Sequence, residues 1–363
     1  MASGFNGLLA FCLFFGNILL GQSNPDNFIP FIDSKISYEG RIGKDGASAI
    51  LYWPGTQIEV NFKGTSIGGT FLDNLGKNYY NLILDNDSII LFRPEVEKKT
   101  YLLFSGLENT SHNLKIYKRT EWTKGTTYFY GFVIENGILI PPPEPKKRSI
   151  EFYGNSITAG FGVDDTSGLD RSDSIFTNNY LTYAAITARY FNAKSNYIVR
   201  SGIGLMVSWF PLIMPEMYNR LDPGNPESEW DFRKYRPDIV VINLLQNDAY
   251  LLQMPWRKEY LYRFENVTKP GKNYIINSYI DFVRKMREKY PNADIICMLG
   301  NLSITKEGSP WPVYVSEAVK FLNDPKIYTL FIPYKNSGGH PSKEEHQKMA
   351  WILIQFIEKN ISW

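Results

Sequence analysis

The sequence predicts an α/β fold in two parts: an antiparallel β-sandwich, then an α/β domain with a parallel sheet between layers of helices. Three observations carry this. Up to about Ile140 the apolar residues recur at period two in short runs divided by Gly, Asn and Asp, as half-buried antiparallel strands do. Beyond it, apolar strand-like runs alternate with helical stretches, which implies parallel strands joined by helices. Between the two lies "PPPEPKKR", Pro141 to Arg148, too rich in proline and charge for either element and read as a linker.

The first 23 residues stand apart. "MASGFNGLLAFCLFFGNILLGQSNPDN" holds an apolar run from Gly7 to about Leu20 followed by small and polar residues, the pattern of a secretory signal peptide ending at Ser23. Domain boundaries of 1–23, 24–143 and 144–363 follow, with a secreted or periplasmic location and no membrane attachment after signal removal. No later segment is long and apolar enough to span a bilayer. Of two cysteines, Cys12 lies in the signal and Cys297 in "ADIICML", so the mature chain is expected to contain no internal disulfide and no cysteine metal cluster. A formal charge of +2 gives no reason to expect nucleic acid as a partner, while 24 Tyr and 8 Trp exceed what a core needs and fit either an aromatic-rich β-structure or the flat faces of sugars.

In the first domain, "QIEVNF", "GGTFL", "YYNLILDN", "HNLKIYKR" and "TTYFYGFVI" read as strands of a sandwich. In the second, the expected order is the strand "SIEFYG", a helix near Asn178 to Phe191, "SNYIVRSG", "DIVVINLL", a helix near Asn273 to Tyr290, "ADIICMLG", "IYTLFIP", and a last helix from Lys343. Ser342 and Glu345 announce that last helix as a capping-box pair.

"EFYGNSITAGFG" lifts Ser156 from the end of a strand onto the start of a helix, at the edge where open α/β sheets build their sites. A serine hydroxyl needs a base, and the chain has three histidines. His112 falls in a sandwich strand and reads as structural; His346 falls inside the last helix, where a solvated or capping role is expected. His340, in "SGGHPS", follows a strand at the same sheet edge as Ser156 and can act as the acid/base. Charge on an attacked carbonyl needs fixed donors, and the next two strand ends offer Gly202 in "IVRSGIG" and Asn247 in "VVINLLQNDAY".

Ser156, Gly202, Asn247 and His340 occur in the order of the four sequence blocks of the SGNH (GDSL-type) hydrolases, which the chain resembles. It is more closely similar to carbohydrate esterase family 2, in which a jelly-roll sandwich precedes the hydrolase domain. The likeness runs through "YEGRIG", "YWPGTQIEVNFKGTSI", "GLENTSHNLKIYKRTEW" and "YGFVIENGILIPPP", then "IEFYGNSITAGFG", "SGIGL", "WDFRKYRPDIVVINLLQND" and "HPSKEEHQKMA". The resemblance implies a three-layer α/β/α hydrolase domain. It makes Ser156 the nucleophile and His340 the acid/base, with the Ser156 and Gly202 N–H groups and the Asn247 side chain as oxyanion hole. It implies removal of acetyl groups from plant polysaccharides such as xylan and glucomannan, favouring the primary hydroxyl of hexose units, through an acyl-enzyme and with no metal or organic cofactor.

Three departures bear on the site. Asn155 stands where the superfamily has aspartate. Leu245 replaces a glycine two places before Asn247 and is expected to narrow the pocket near the oxyanion. Ser337 occupies the place, three residues before His340, of the usual orienting aspartate. The expectation is therefore a Ser156–His340 dyad, with a backbone carbonyl accepting the Nδ1 proton and Gly338 and Gly339 permitting its approach. The competing functions are a carbohydrate-binding protein with a weakened site, and a lipid or thioester hydrolase of the wider superfamily.

Overall fold

The computed structural model describes residues 27–265 and 270–363, so the signal-peptide stretch lies outside the described residues. Two antiparallel sheets form the first part. In one, the strands run Ile42–Lys44, Ala49–Leu51, Thr127–Val133, Ser66–Asp73, Lys99–Ser105; in the other, Ile138–Leu139, Gln57–Lys63, Ser111–Lys118, Tyr80–Leu84, Ser88–Phe92. Their facing sides close over a core that includes Ile58, Val60, Phe62, Phe71, Leu114, Phe129 and Phe132. Ile58, Val60 and Phe62 are alternate positions along one strand, as a sandwich requires, while Phe129 and Phe132 face the same core across a bulge between Phe129 and Gly131.

The second part is a five-stranded, all-parallel sheet in the order Ala193–Val199, Arg148–Gly154, Ile239–Asn243, Asp294–Leu299, Ile327–Phe331. Arg148 already belongs to its first strand, so the irregular linker ends one residue before the expected limit. Alternation sorts each strand between two cores. Phe152, Val199, Val241 and Met298 face the helices Tyr183–Tyr190 and Lys343–Asn360, whereas Tyr153, Ile198, Ile242 and Cys297 face Lys272–Lys289 and Trp311–Leu322. The expected helix from Asn178 begins instead as a 3₁₀ turn, Asn179–Leu181, because Thr182 caps the α-helix with its hydroxyl accepting from Ala185 N–H. The last helix carries the predicted box: Ser342 N–H donates to Glu345 Oε2 at 2.8 Å, and Glu345 N–H to Ser342 Oγ at 3.3 Å.

The two parts share buried surface. Trp53 of the sandwich packs in the core of the α/β domain and donates from Nε1 to Leu221 O at 2.8 Å. Arg41 pairs with Glu151 at 2.8 Å, both side chains having 0% exposure, and donates from Nη1 to the carbonyls of Tyr218 and Arg220. Glu151 also accepts from Tyr153, Tyr290 and Asn196, so the buried charge is solvated by protein.

Candidate active site

Ser156 opens a short helix, Ser156–Ala159, directly after the strand Arg148–Gly154; Asn155 caps it, its Oδ1 accepting from Ile157 N–H at 3.1 Å. Asn155 is thus a structural cap. His340 sits in the loop ahead of Lys343–Asn360, and its Nε2 lies 2.8 Å from Ser156 Oγ. The lysine ammonium of Lys335 holds that loop, donating to Ser337 Oγ, Gly338 O and Glu345 Oε2.

The expected carbonyl partner of His340 is replaced by a carboxylate. Asp170 Oδ2 stands 2.9 Å from His340 Nδ1, and both carboxylate oxygens accept the His340 backbone N–H at 3.0 and 3.1 Å. The dyad expectation is corrected to a serine–histidine–aspartate row, because the loop after the Ser156 helix folds back over the sheet edge. The hydrogen bond from the imidazole holds the Asp170 carboxyl below its usual range. It also fixes the ring proton on Nδ1, leaving Nε2 to accept from the serine. Gly339 makes room for this: it has φ +66°, and a Cβ there would lie 3.2 Å from the Asp170 carboxylate oxygens. Ser337 instead donates to Glu345 Oε1 at 2.6 Å.

Gly202 and Asn247 are connected through Ile203 and Trp209, whose backbone N–H donates to Gly202 O at 3.1 Å. Ile203 N–H donates to Arg200 O, and Gly202 has φ +82°, so Arg200–Ile203 is a type II turn that needs glycine at its third place. Asn247 Nδ2 donates to Ile203 O at 2.7 Å and its Oδ1 accepts from Trp209 Nε1 at 3.0 Å. One amide hydrogen of Asn247 remains for a substrate oxygen. Behind them, the buried Asp248 carboxylate accepts from Leu205, Met206 and Val207 N–H, while burial pushes its pKa up. Leu245, expected to narrow the pocket, is wholly buried in the core; its backbone is left-handed, φ 75°, which is where a glycine is usual.

His112 is structural as expected, bridging Asp85 and Glu108 O. His346 is not solvated. It is buried, stacks on Tyr183, and its Nδ1 accepts from Tyr183 N–H at 3.2 Å. Sequence reasoning missed Asp170, Lys335 and Asp248. Among the described residues no group of three or more His, Cys, Asp or Glu side chains is placed to hold a metal ion.

A parallel three-layer domain with this row on its carboxyl edge is the fold of the SGNH class of α/β hydrolases, and here a sandwich precedes it. Residues 38–143 match the family model described as carbohydrate esterase 2 N-terminal. A solved family two carbohydrate esterase from Clostridium thermocellum, in complex with cellohexaose, is 33% identical, with TM-score 0.79 over 89% of this chain and 98% of that one. The chain belongs to carbohydrate esterase family 2.

Among named relatives, the cellulase/esterase CelE of Acetivibrio thermocellus is 33% identical over 340 residues, 90% of this chain and 40% of that protein. The chain therefore spans less than half of that relative. An acetylxylan esterase / glucomannan deacetylase of Cellvibrio japonicus is 24% identical over 340 residues, 91% of this chain and 90% of that protein.

Proposed function

We propose that the protein is a secreted carbohydrate O-acetyl esterase acting on acetylated plant polysaccharides or their oligosaccharides. The observation that carries this reading is the continuous row Asp170–His340–Ser156, with contacts of 2.9 and 2.8 Å. Asp170 orients the imidazole, and Nε2 takes the hydroxyl proton as Ser156 Oγ attacks the acetyl carbonyl. The Ser156 and Gly202 N–H groups and the free amide hydrogen of Asn247 receive the developing negative charge. The imidazolium then protonates the departing sugar hydroxyl, and a water activated by the same nitrogen releases acetate from the acyl-serine.

Trp209, 37% exposed, tied to Asn247 through its indole N–H and carrying the Arg257 guanidinium 4.8 Å over its ring, puts a partly open aromatic side chain next to the oxyanion donors. The family relationship supports a carbohydrate substrate, as do the names of the relatives. The signal-like N-terminus supports secretion, and among the described residues no helix is long and apolar enough to cross a membrane.

The test is acetate release from acetylated xylan, glucomannan and monosaccharides, with 4-nitrophenyl acetate as a general ester. Ser156→Ala is expected to lower turnover by several orders of magnitude with the fold intact. A wild-type protein that binds these polymers yet releases neither acetate nor nitrophenol would be a binding module instead. A preference for long acyl chains would point to a lipid hydrolase.

A further inference from the structure

The motif "IYKRTEW" ends a sandwich strand, and the chemistry described so far leaves it without a role. Its residues reach both loops that carry the site. Arg119 Nη2 donates to Asp164 Oδ2 at 2.5 Å and to Ile175 O at 3.0 Å, and Arg119 O accepts from Asn179 N–H. Two residues beyond the motif, Lys124 Nζ donates to Ser172 O at 3.2 Å. These contacts bracket the loop that presents Asp170. On the other side, Glu121 is buried, and its Oε2 accepts from Ser201 N–H at 2.7 Å. Ser201 is the second residue of the turn whose third residue is Gly202. The next-door Arg200 guanidinium lies between the Trp122 and Phe210 rings, 4.9 and 3.2 Å from their centroids. The segment itself is anchored by the buried Lys118, whose Nζ donates to Tyr52 O and Thr120 O.

We propose that the sandwich segment Arg119–Lys124 is a brace for the active site, and that Glu121 is a positioning residue for the oxyanion hole. This rests on the esterase reading above. A buried side-chain oxygen accepting one backbone N–H fixes the corner of a turn in a way water would not, since the fold holds the acceptor in place and shields the bond from solvent. The adjoining Gly202 N–H is then aimed before substrate arrives, which is the condition for an oxyanion donor to act in the transition state. The sandwich therefore serves catalysis at one remove, through Ser201.

Two neutral substitutions separate the hydrogen bond from the charge. Glu121→Gln retains an oxygen that accepts from Ser201 N–H; Glu121→Met has similar length and no acceptor. In the full chain, Glu121→Met is expected to lower kcat on 4-nitrophenyl acetate ten- to a hundredfold with KM within threefold. Amide exchange at Ser201 and Gly202 should rise at least tenfold while the parallel sheet stays protected. Glu121→Gln should remain within threefold of the parent on every measure. Should Glu121→Met fail to fold, Ser201→Pro removes the donor instead, at a turn position that accepts proline, and the same loss of kcat is expected. Equal kcat and equal exchange in the Gln and Met variants, or an unaffected Ser201→Pro, would overturn the brace. An inert wild-type protein would overturn the esterase reading, and the exchange comparison would still decide the brace.

Discussion

Asp170 reaches its histidine from a left-handed backbone, φ 54°, in a loop rich in Gly, Ser and Asp. Replacing its carboxylate by an amide keeps the shape but stabilises the wrong imidazole tautomer. Asp170→Asn is expected to lower kcat by about a hundredfold to ten-thousandfold with a small change in KM. Steady-state rates check this, and a loss of less than threefold would leave His340 oriented by something else. Ser156, Gly202, Asn247 and His340 were legible because each follows a strand end in a fixed order along the chain. Asp170 was not, since its contact with His340 spans 170 positions and nothing local distinguishes it from its neighbour Asp173. Asn155 and Leu245 were legible as departures, yet their roles needed the backbone: one caps a helix, the other holds a left-handed corner.

At the scale of elements, the last helix and the helix Tyr183–Tyr190 are joined by one imidazole. Tyr183 N–H is a first-turn donor with no partner inside its own helix, and His346 Nδ1 supplies one. Burial pushes the pKa of His346 down from 6.5 to about 3, so the folded protein keeps it neutral. The unfolded chain binds the proton first as pH falls below 6.5, so this stabilisation is full above 6.5 and declines toward about 3. The slope is about 1.4 kcal/mol per pH unit. His346→Gln keeps an acceptor but cannot titrate, so its stability should fall less steeply between pH 6 and 4 than the parent's, by about that slope. Parallel slopes in urea titrations would count against a neutral buried ring.

The sandwich strands with clean alternation were legible because their two faces differ in burial, and the parallel runs because burial on both faces makes them continuously apolar. Ser88–Phe92 escaped because "SIILF" is an exposed edge with no polar alternation, and Trp311–Leu322 because its Trp, Val and Tyr residues favour strands on local preference alone. Packing against Lys272–Lys289 decides that helix, a contact outside any sequence window.

At the scale of the whole molecule, the sandwich and the α/β domain are joined by a buried seam that includes Trp53 and the Arg41–Glu151 pair. Arg41→Ala would leave Glu151 charged, buried and missing its partner, a loss of about 3–5 kcal/mol, and calorimetry should record a single transition moved down in temperature rather than two separated ones. Two independent transitions in the parent would mean that the shared surface contributes little. The proline-rich linker matters less than the buried contacts on either side of it. A fragment lacking the sandwich would expose the seat of Trp53 and lose the contacts of Arg119 and Glu121 with the α/β loops.

The same pair has a consequence in time. Arg41 and Glu151 are 110 positions apart. A ribosome adding about 5–20 residues per second needs about 5–20 s to deliver the second after the first. For that interval a nascent sandwich holds a guanidinium and an indole whose partners have yet to be synthesised. Its earliest compact form must keep that side wet and open, a window in which a chaperone or export machinery can still capture the chain.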